Sequence, residues 1–536
     1  MKLYLLSRIA FASASAVALA VGAHAQSGRH LDVNVSPCFE IFEIELDAGK
    51  DLLPFRLSDS LSLTSKGELD PPQFRCIGAG GIQLLIDRVQ NELMARGFVT
   101  SRVLAEPQNL QSGKLKLKVL MGKIQQINWE PQANAQLKRA TSFNTLPAKE
   151  GDILNLKDIE QGLENFKRVP TAEADIQIVP GDHPGYSNLR ITHAQDRLFR
   201  FSVSWDDSGT PSTGKQQASA TFSYDNWLTL SDLFYITVNQ DTGQDKDPGS
   251  RGTHGKSIHY SVPLGYQLLS LNLSSSSYHQ TVAGANSDIV YAGTSSNADI
   301  KLSRVIQRDA SGKTTTGIKA FRRQSNNYVD DSELVNQQRV VGGWVWDIGR
   351  RQTVNEAIVE GNLAFKQGTK DFGSIPAPEE ASQKGTSRIR IWNVDTNFHI
   401  PFKLFDTNLT YSLNTRFQHN LNRLTSQDMF SIGGRFTVRG FDGINTLSGD
   451  RGWLVRNDVS ADMAAGHKFY VGIDKGAVGG PAAETLVGQS LSGAVIGLRG
   501  QKDALQYDFF VGGPIEKPDR FKTAKVTTGF NLSLNF

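Results

Sequence analysis

Two periodicities divide this chain near residue 195. Before that point, helical and strand patterns alternate. The segment IQLLIDRVQNELMAR sets Ile82, Leu85, Ile86, Val89 and Leu93 on one stripe at helical spacing, and Gly97 stops it. FVTSRV then resumes as a strand. KLKLKVL sets Leu115, Leu117 and Val119 against lysines, the signature of a half-exposed strand. A second cycle follows. LKDIEQGLENFKRVP aligns Leu156, Ile159, Leu163 and Phe166 before Pro170, and ADIQIVPG and SNLRIT follow as strands around Pro180-Gly181 and Pro184-Gly185. Residues 38–122 and 123–195 thus read as two small α+β modules in tandem, each of a size that folds independently.

From residue 196 the helical period vanishes and strict alternation replaces it. Phe201, Val203 and Trp205 oppose Arg200, Ser202 and Ser204; Phe234, Ile236 and Val238 oppose Tyr235, Thr237 and Asn239. Leu269, Leu271 and Leu273 oppose serines and an asparagine, and Ile389 and Ile391 oppose Arg388 and Arg390. The last segment, GFNLSLNF, sets Phe530, Leu532, Leu534 and Phe536 against Gly529, Asn531, Ser533 and Asn535. Such strands, parted by Gly/Asp/Ser-rich turns, predict a sheet with one apolar and one polar face. A soluble sandwich would alternate in the same way. The length of residues 196–536, the arginines on the polar face and the closing aromatic strand favour a membrane barrel, which needs roughly 20 residues per strand and loop for about 16 strands.

The N-terminus supplies the destination. Lys2 and Arg8 flank the start of an alanine-rich apolar run from Ile9 to Val21, and Ala23-His24-Ala25 offers a cleavage site before Gln26. Residues 1–25 read as an export leader and 26–37 as a short segment before the first module. No later run of about 18 apolar residues can form a membrane helix, so a closed barrel is the remaining way to span a bilayer.

Charge and composition then exclude several functions. With 57 Lys+Arg, 54 Asp+Glu and a net charge of +3, nothing points to a nucleic-acid partner. GxSxG, HExxH and P-loop patterns are missing, and the histidines share no ligand spacing, so neither an enzyme, a cofactor nor a metal site is expected. Cys38 and Cys76 are the only cysteines. An oxidising compartment favours their pairing over two buried thiols.

One loop stands apart. GGRFTVRGFDG (Gly433–Gly443) carries Arg439, and FYVGIDKG follows with Asp474. On the plainest reading, VRGF is a glycine turn with a solvated arginine. Yet a guanidinium inside a barrel needs a partner, and a carboxylate accepts it as a fork.

At these residues the chain resembles the transporters of two-partner secretion (TpsB), of the haemolysin-activator and filamentous-haemagglutinin-transporter type, within the outer-membrane assembly factor superfamily. CFEIFEIEL and the stretch after Cys76 resemble the family's first POTRA (polypeptide-transport-associated) domain, residues 38–122; IEQGLENFKRVPTAEADIQIVPGDHPGYSNLRI resembles the second, 123–195. VRGF (Val438, Arg439, Gly440, Phe441) matches the signature of a loop that folds back into the barrel, and Phe469–Gly476 matches its partner strand. The resemblance implies a mostly β protein: a 16-stranded transmembrane β-barrel behind two periplasmic α+β POTRA domains, in the outer membrane of a Gram-negative bacterium. It makes Arg439 and Asp474 a lumenal salt bridge and Phe530 and Phe536 part of the barrel-closing strand. The implied partners are a secreted passenger encoded by the neighbouring gene, outer-membrane lipid and the outer-membrane assembly machinery, with the transporter itself a monomer. Exposed edges such as KLKLKVL or ADIQIVPG would recognise the passenger by strand addition. Some relatives carry a plug helix and linker, for which Gln26–Pro37 is too short at about 1.5 Å per residue. An outer-membrane protein insertase and a solute porin are the rival readings. Adhesin, cytolysin, contact-dependent toxin and haem scavenger all remain open as passengers.

Overall fold

The computed structural model describes residues 30–32, 36–49, 56–64, 66–130, 143–243, 251–283, 287–463 and 466–536. The expected leader lies outside the described residues, as does most of the short segment before the first module. The chain forms two compact units. One holds the residues up to Ala135 with Leu146–Glu164 and Ala174–Ala194; the other holds Gln136–Thr145, Asn165–Glu173 and Gln195–Phe536.

The first module runs β1 (Phe39–Ile41), β2 (Glu43–Asp47), α1 (Ser58–Leu61), β3 (Arg75–Ile77), α2 (Ala79–Ala95), β4 (Arg102–Leu104) and β5 (Lys114–Leu120). Leu85, Val89 and Leu93 of α2 pack with Leu115, Leu117 and Val119 of β5 in one core. The lysines on the other face of β5 pair across to β2, Lys114 with Glu43 at 2.8 Å and Lys116 with Asp47 at 2.9 Å. KLKLKVL is therefore not a free edge. β2 flanks Lys114–Lys118 in parallel and β4 pairs antiparallel with Lys118–Leu120, while the Gln108 side chain accepts from the Lys116 N–H and donates to Lys116 O. Cys38 and Cys76 are disulfide-bonded, with Cα atoms 5.3 Å apart beside the β1–β3 pairing.

Asp70 anchors the same core from within. Its carboxylate takes hydrogen bonds from Arg88 Nη2, Arg75 Nη1 (2.5 Å) and the Leu31 N–H (2.9 Å), while Arg88 Nη1 also donates to Leu61 O at 2.9 Å. Burial opposes the charge on Asp70, but the bonds from Arg88, Leu31 and Arg75 outweigh it and hold the carboxyl below the ordinary carboxylate range.

The second module contributes β6 (Lys123–Trp129), α3 (Leu156–Lys167), β7 (Ala172–Pro180) and β8 (Tyr186–Gln195), in the sheet order β6-β8-β7. ADIQIVPG falls on β7, an edge strand of that sheet.

The second unit is a closed antiparallel barrel. Its strands are β9 (Phe199–Asp206), β10 (Gln217–Asp225), β11 (Leu233–Asp241), β12 (Arg251–Leu264), β13 (Gln267–Ala283), β14 (Asp288–Asp309) and β15 (Gly312–Val329). A two-residue β16 (Ser332–Glu333) prolongs the β15 hairpin. Then come β17 (Arg339–Val354), β18 (Ala357–Thr369), β19 (Arg390–Leu404) and β20 (Thr407–Asn420). A separate ribbon, β21 (Phe430–Ile432) with β22 (Leu447–Gly449), precedes β23 (Arg451–Asp462), β24 (His467–Gly479), β25 (Ser490–Lys502), β26 (Leu505–Glu516) and β27 (Thr527–Asn535). Sixteen strands span the wall, and β27 closes onto β9 from Asn531↔Asp206 to Asn535↔Ser202. Closure leaves no unpaired edge, which lipid requires and a sandwich would not achieve. One rim has tight turns, such as Phe405-Asp406 with positive φ at both residues, the primed geometry that suits a two-residue hairpin. The other rim carries the long connections, between β18 and β19 and between β20 and β23. Among the described residues no helix is long and apolar enough to cross a membrane.

The alternation sets the faces as read, with one correction. Phe201, Trp205 and Val238 are exposed on the outer wall, and Arg200 pairs inward with Asp225 at 2.7 Å. At the start of β19 the order reverses. Ile389 and Ile391 are buried against Leu424 and Val341, and Arg390 is exposed. This end of the strand lies at the long-loop rim, where a loop covers the inner face and makes it the apolar one.

Candidate functional site: a loop pinned to the barrel wall

The connection from β20 to β23 carries GGRFTVRGFDG. Thr437 shapes the turn before Arg439: its hydroxyl accepts from the N–H groups of Gly433 (3.1 Å) and Gly434 (3.2 Å). Val438 and Phe441 are buried with Phe430, Ile432 and Leu447 of the loop and with Leu454, Val478, Leu491 and Phe521. Phe441 meets the Phe521 ring edge to face at 5.9 Å. This cluster fixes both sides of the arginine, so its side chain enters the wall with little freedom left to lose.

Arg439 is 4% exposed and Asp474 1%. Nε donates to Asp474 Oδ2 at 2.7 Å and Nη2 to Oδ1 at 2.7 Å, a bidentate fork, and the Arg439 backbone N–H adds a third bond to Oδ2 at 2.9 Å. A second carboxylate completes the shell: Asp458 Oδ1 accepts from Nη2 at 2.6 Å. β23 and β24 pair so that Arg456 faces Asp474 and Asp458 faces Gly472. Arg456 Nε stands 3.8 Å from Asp474, and Arg499 stands 4.0 Å from Asp458 while lying over the Tyr470 ring. Breaking such a buried pair typically costs about 3–5 kcal/mol, because the partner stays behind as an uncompensated charge.

Two glycines make the approach possible. Gly440 has φ +91°, and a Cβ there would lie 2.4 Å from Gly513 O. A Cβ on Gly493, which pairs with Asp474 across β24–β25, would lie 2.0 Å from Arg439 O. Larger residues at either place would push the loop off the wall.

The structure splits the strand motif. Asp474 and Gly476 point inward, Gly476 against Val438 and Ile432, whereas Phe469 is 43% exposed on the outer wall. Phe469 lies five residues before Asp474, and an odd spacing on a strand changes the face. At the closing strand, the Phe530 ring packs on Trp205 at 4.8 Å and the Phe536 ring stacks on Phe201 at 6.4 Å. Phe536 N–H donates to Phe201 O at 2.8 Å. Asp458 and Arg435 were not singled out from the sequence. Arg435 donates to Asp207 and to Phe530 O, at the junction of β9 and β27. Asp458 has a legible signal, since it lies two residues from Arg456 on the same strand face, on the strand that precedes that of Asp474. Among the described residues no cluster of His, Cys, Asp and Glu is placed to hold a metal.

Known proteins share this layout. The family model described as haemolysin secretion/activation protein ShlB/FhaC/HecB matches residues 185–500, and models of a ShlB-type POTRA domain and a POTRA domain match 55–122 and 123–180. The chain is similar to the outer membrane transporter CdiB-2 of Burkholderia pseudomallei, 33% identical over 94% of this chain and 87% of that protein. It is also similar to the outer membrane transporter CdiB of Dickeya dadantii, 28% identical over 93% of this chain and 87% of that one. The solved CdiB from Acinetobacter baumannii superposes with a TM-score of 0.83 at 28% identity, covering 100% of this chain and 98% of that one. With a closed barrel, tandem POTRA modules and a loop pinned by an arginine fork, the chain belongs to the ShlB/FhaC/HecB family of outer-membrane transporters of two-partner secretion.

Proposed function

We propose that this transporter exports one passenger protein, encoded by the neighbouring gene, in extended form through the barrel lumen. The loop held by Arg439 acts as the gate. The POTRA modules hand the passenger over by strand addition, for which the edge strand β7 is better suited than β5, which has β2 along one side and β4 on its last three residues. The chain works as a monomer and as a conduit without catalytic residues. Capture and folding of the passenger outside the cell drive the transfer.

The observation that carries this reading is the buried fork from Arg439 to Asp474 and Asp458. Three charges are brought together at a loop that a solute pore would have no need to pin. The test has two arms. Deleting the gene should strand a single passenger in the periplasm while other outer-membrane barrels persist; general loss of barrels would indicate an insertase. Arg439→Ala should stop passenger secretion while the barrel still assembles, and undiminished secretion would remove the gating role.

A further inference from the structure

We infer that the same loop is held at a second point, by Asp428, and that this second anchor sets how tightly the pore is closed at rest. The inference rests on the reading of the Arg439 loop as a gate. Asp428 ends a short 3₁₀ turn, Ser426–Asp428, in the limb that leaves β20, well before VRGF. Its side chain is 2% exposed. Oδ2 accepts from Arg323 Nη2 at 2.6 Å and Oδ1 from Lys366 Nζ at 2.8 Å. Those cations stand on β15 and β18, with β17 between them, so one loop carboxylate bridges across a whole strand of the wall.

The limb around Asp428 is held as well as the carboxylate. Gln427 Nε2 donates to Ser325 Oγ at 2.7 Å, and Gln418 Nε2 donates to Asp428 O at 2.9 Å. Leu424 is fully buried with Val341, Ile389 and Ile391, and Met429 and Phe321 pack against them. Lys366 Nζ lies 5.0 Å above the Phe321 ring. Here the loop gives an anion to a cationic patch of wall; at Arg439 it gives a cation to an anionic patch. If the limb leaves, Arg323 and Lys366 remain close together without their counter-ion, and that repulsion opposes opening. An exposed loop would need none of this. Two buried anchors of opposite sign, on strands three to six places apart among the sixteen of the wall, make the loop a strap across the lumen instead of a tethered tail.

The roles divide accordingly. Arg439 holds the tip that export requires, whereas Asp428 is a positioning residue whose loss loosens the strap but leaves the tip in place. Single-channel currents of the full-length protein in planar lipid bilayers read this directly. Asp428→Asn should raise the open fraction about tenfold over wild type, the change a modest loss of closed-state stability produces. Secretion should continue. The reciprocal exchange D428R/R323D restores one carboxylate among two cations and should return the open fraction toward wild type, which a merely structural role would not do. A different gel mobility before and after heating reports that each barrel is folded. Should Asp428→Asn not fold, Arg323→Gln and Lys366→Gln, each leaving one ion pair, carry the same expectation at smaller size. A folded Asp428→Asn barrel, or failing it both single-cation variants, with wild-type currents overturns the second anchor. If Arg439→Ala also leaves currents and secretion unchanged, the gate reading itself fails; if Arg439→Ala changes them, only the second anchor does.

Discussion

Two buried ion clusters in this molecule are built from the same parts in inverse ratio. In the first module one carboxylate, Asp70, serves two guanidiniums, Arg75 and Arg88. In the barrel one guanidinium, Arg439, serves two carboxylates, Asp458 and Asp474. Both bury the central group, with Arg75 alone half-buried, but what each one joins differs. Asp70 ties a loop to the helix beside it in a core already sealed by Leu85, Val89 and Leu117. Arg439 ties a long connection to two wall strands, in a place where the loop could otherwise leave. The first cluster therefore stabilises a domain, and the second pins a long connection to the barrel wall.

Breaking the clusters one at a time should expose that difference. Asp474→Ala removes three hydrogen bonds and leaves Arg439 with Asp458 alone, a loss of about 3 kcal/mol that should cut secreted passenger about a hundredfold at equal folded barrel. Passenger in the medium, normalised to heat-modifiable barrel, measures it. Next in size, Cys38→Ser should lower the stability of the first module by about 2–4 kcal/mol, read as faster proteolysis of that module in the full-length protein. Equal protection with and without reductant in the wild type would contradict it. Asp70→Asn keeps the shape but removes the charge, and about 2 kcal/mol should go with it at neutral pH. The sign of the pH effect follows from the depressed carboxyl of Asp70. Its contribution is complete above the unfolded value of about 4 and is lost as pH falls through the lower folded value, so the wild type should weaken on acidification while Asp70→Asn stays flatter there. Smallest of all, Lys114→Ala removes an exposed pair with Glu43 and should leave protease protection and secretion unchanged.

Much of this architecture is legible in the residue pattern. Alternation marked five of the sixteen wall strands, because lipid on one side and water on the other impose a period of two along most of each strand, while length and the export leader favoured a barrel over a sandwich. The helical stripe of α2 and the lysine-faced β5 were legible for the same reason. What misled was context. KLKLKVL alternates like an edge strand, but the lysines that suggested exposure pair with Glu43 and Asp47 of a neighbour that the local sequence does not announce. RIRI alternates like lipid-facing wall, but the loop limb around Leu424 reverses its faces. Phe469 was grouped with Asp474 by motif, although the parity of the strand already put it on the other face.

For the site, the residue types and their segments were readable: an arginine between valine and glycine, and a later aspartate before glycine. A desolvated guanidinium demands a carboxylate whatever the fold, so the pair Arg439 and Asp474 could be named from chemistry. Asp428, Arg323 and Lys366 could not, because each is an ordinary inward residue until strand register and loop path bring it to its partner. The sequence by itself determined the class of the molecule: period and turn residues are local, and they dictate strands, modules and faces. Tertiary structure alone decided which charges meet. Pairing across a barrel depends on closure, register and the path of a thirty-residue connection, none of which is encoded within a few residues of the groups it joins.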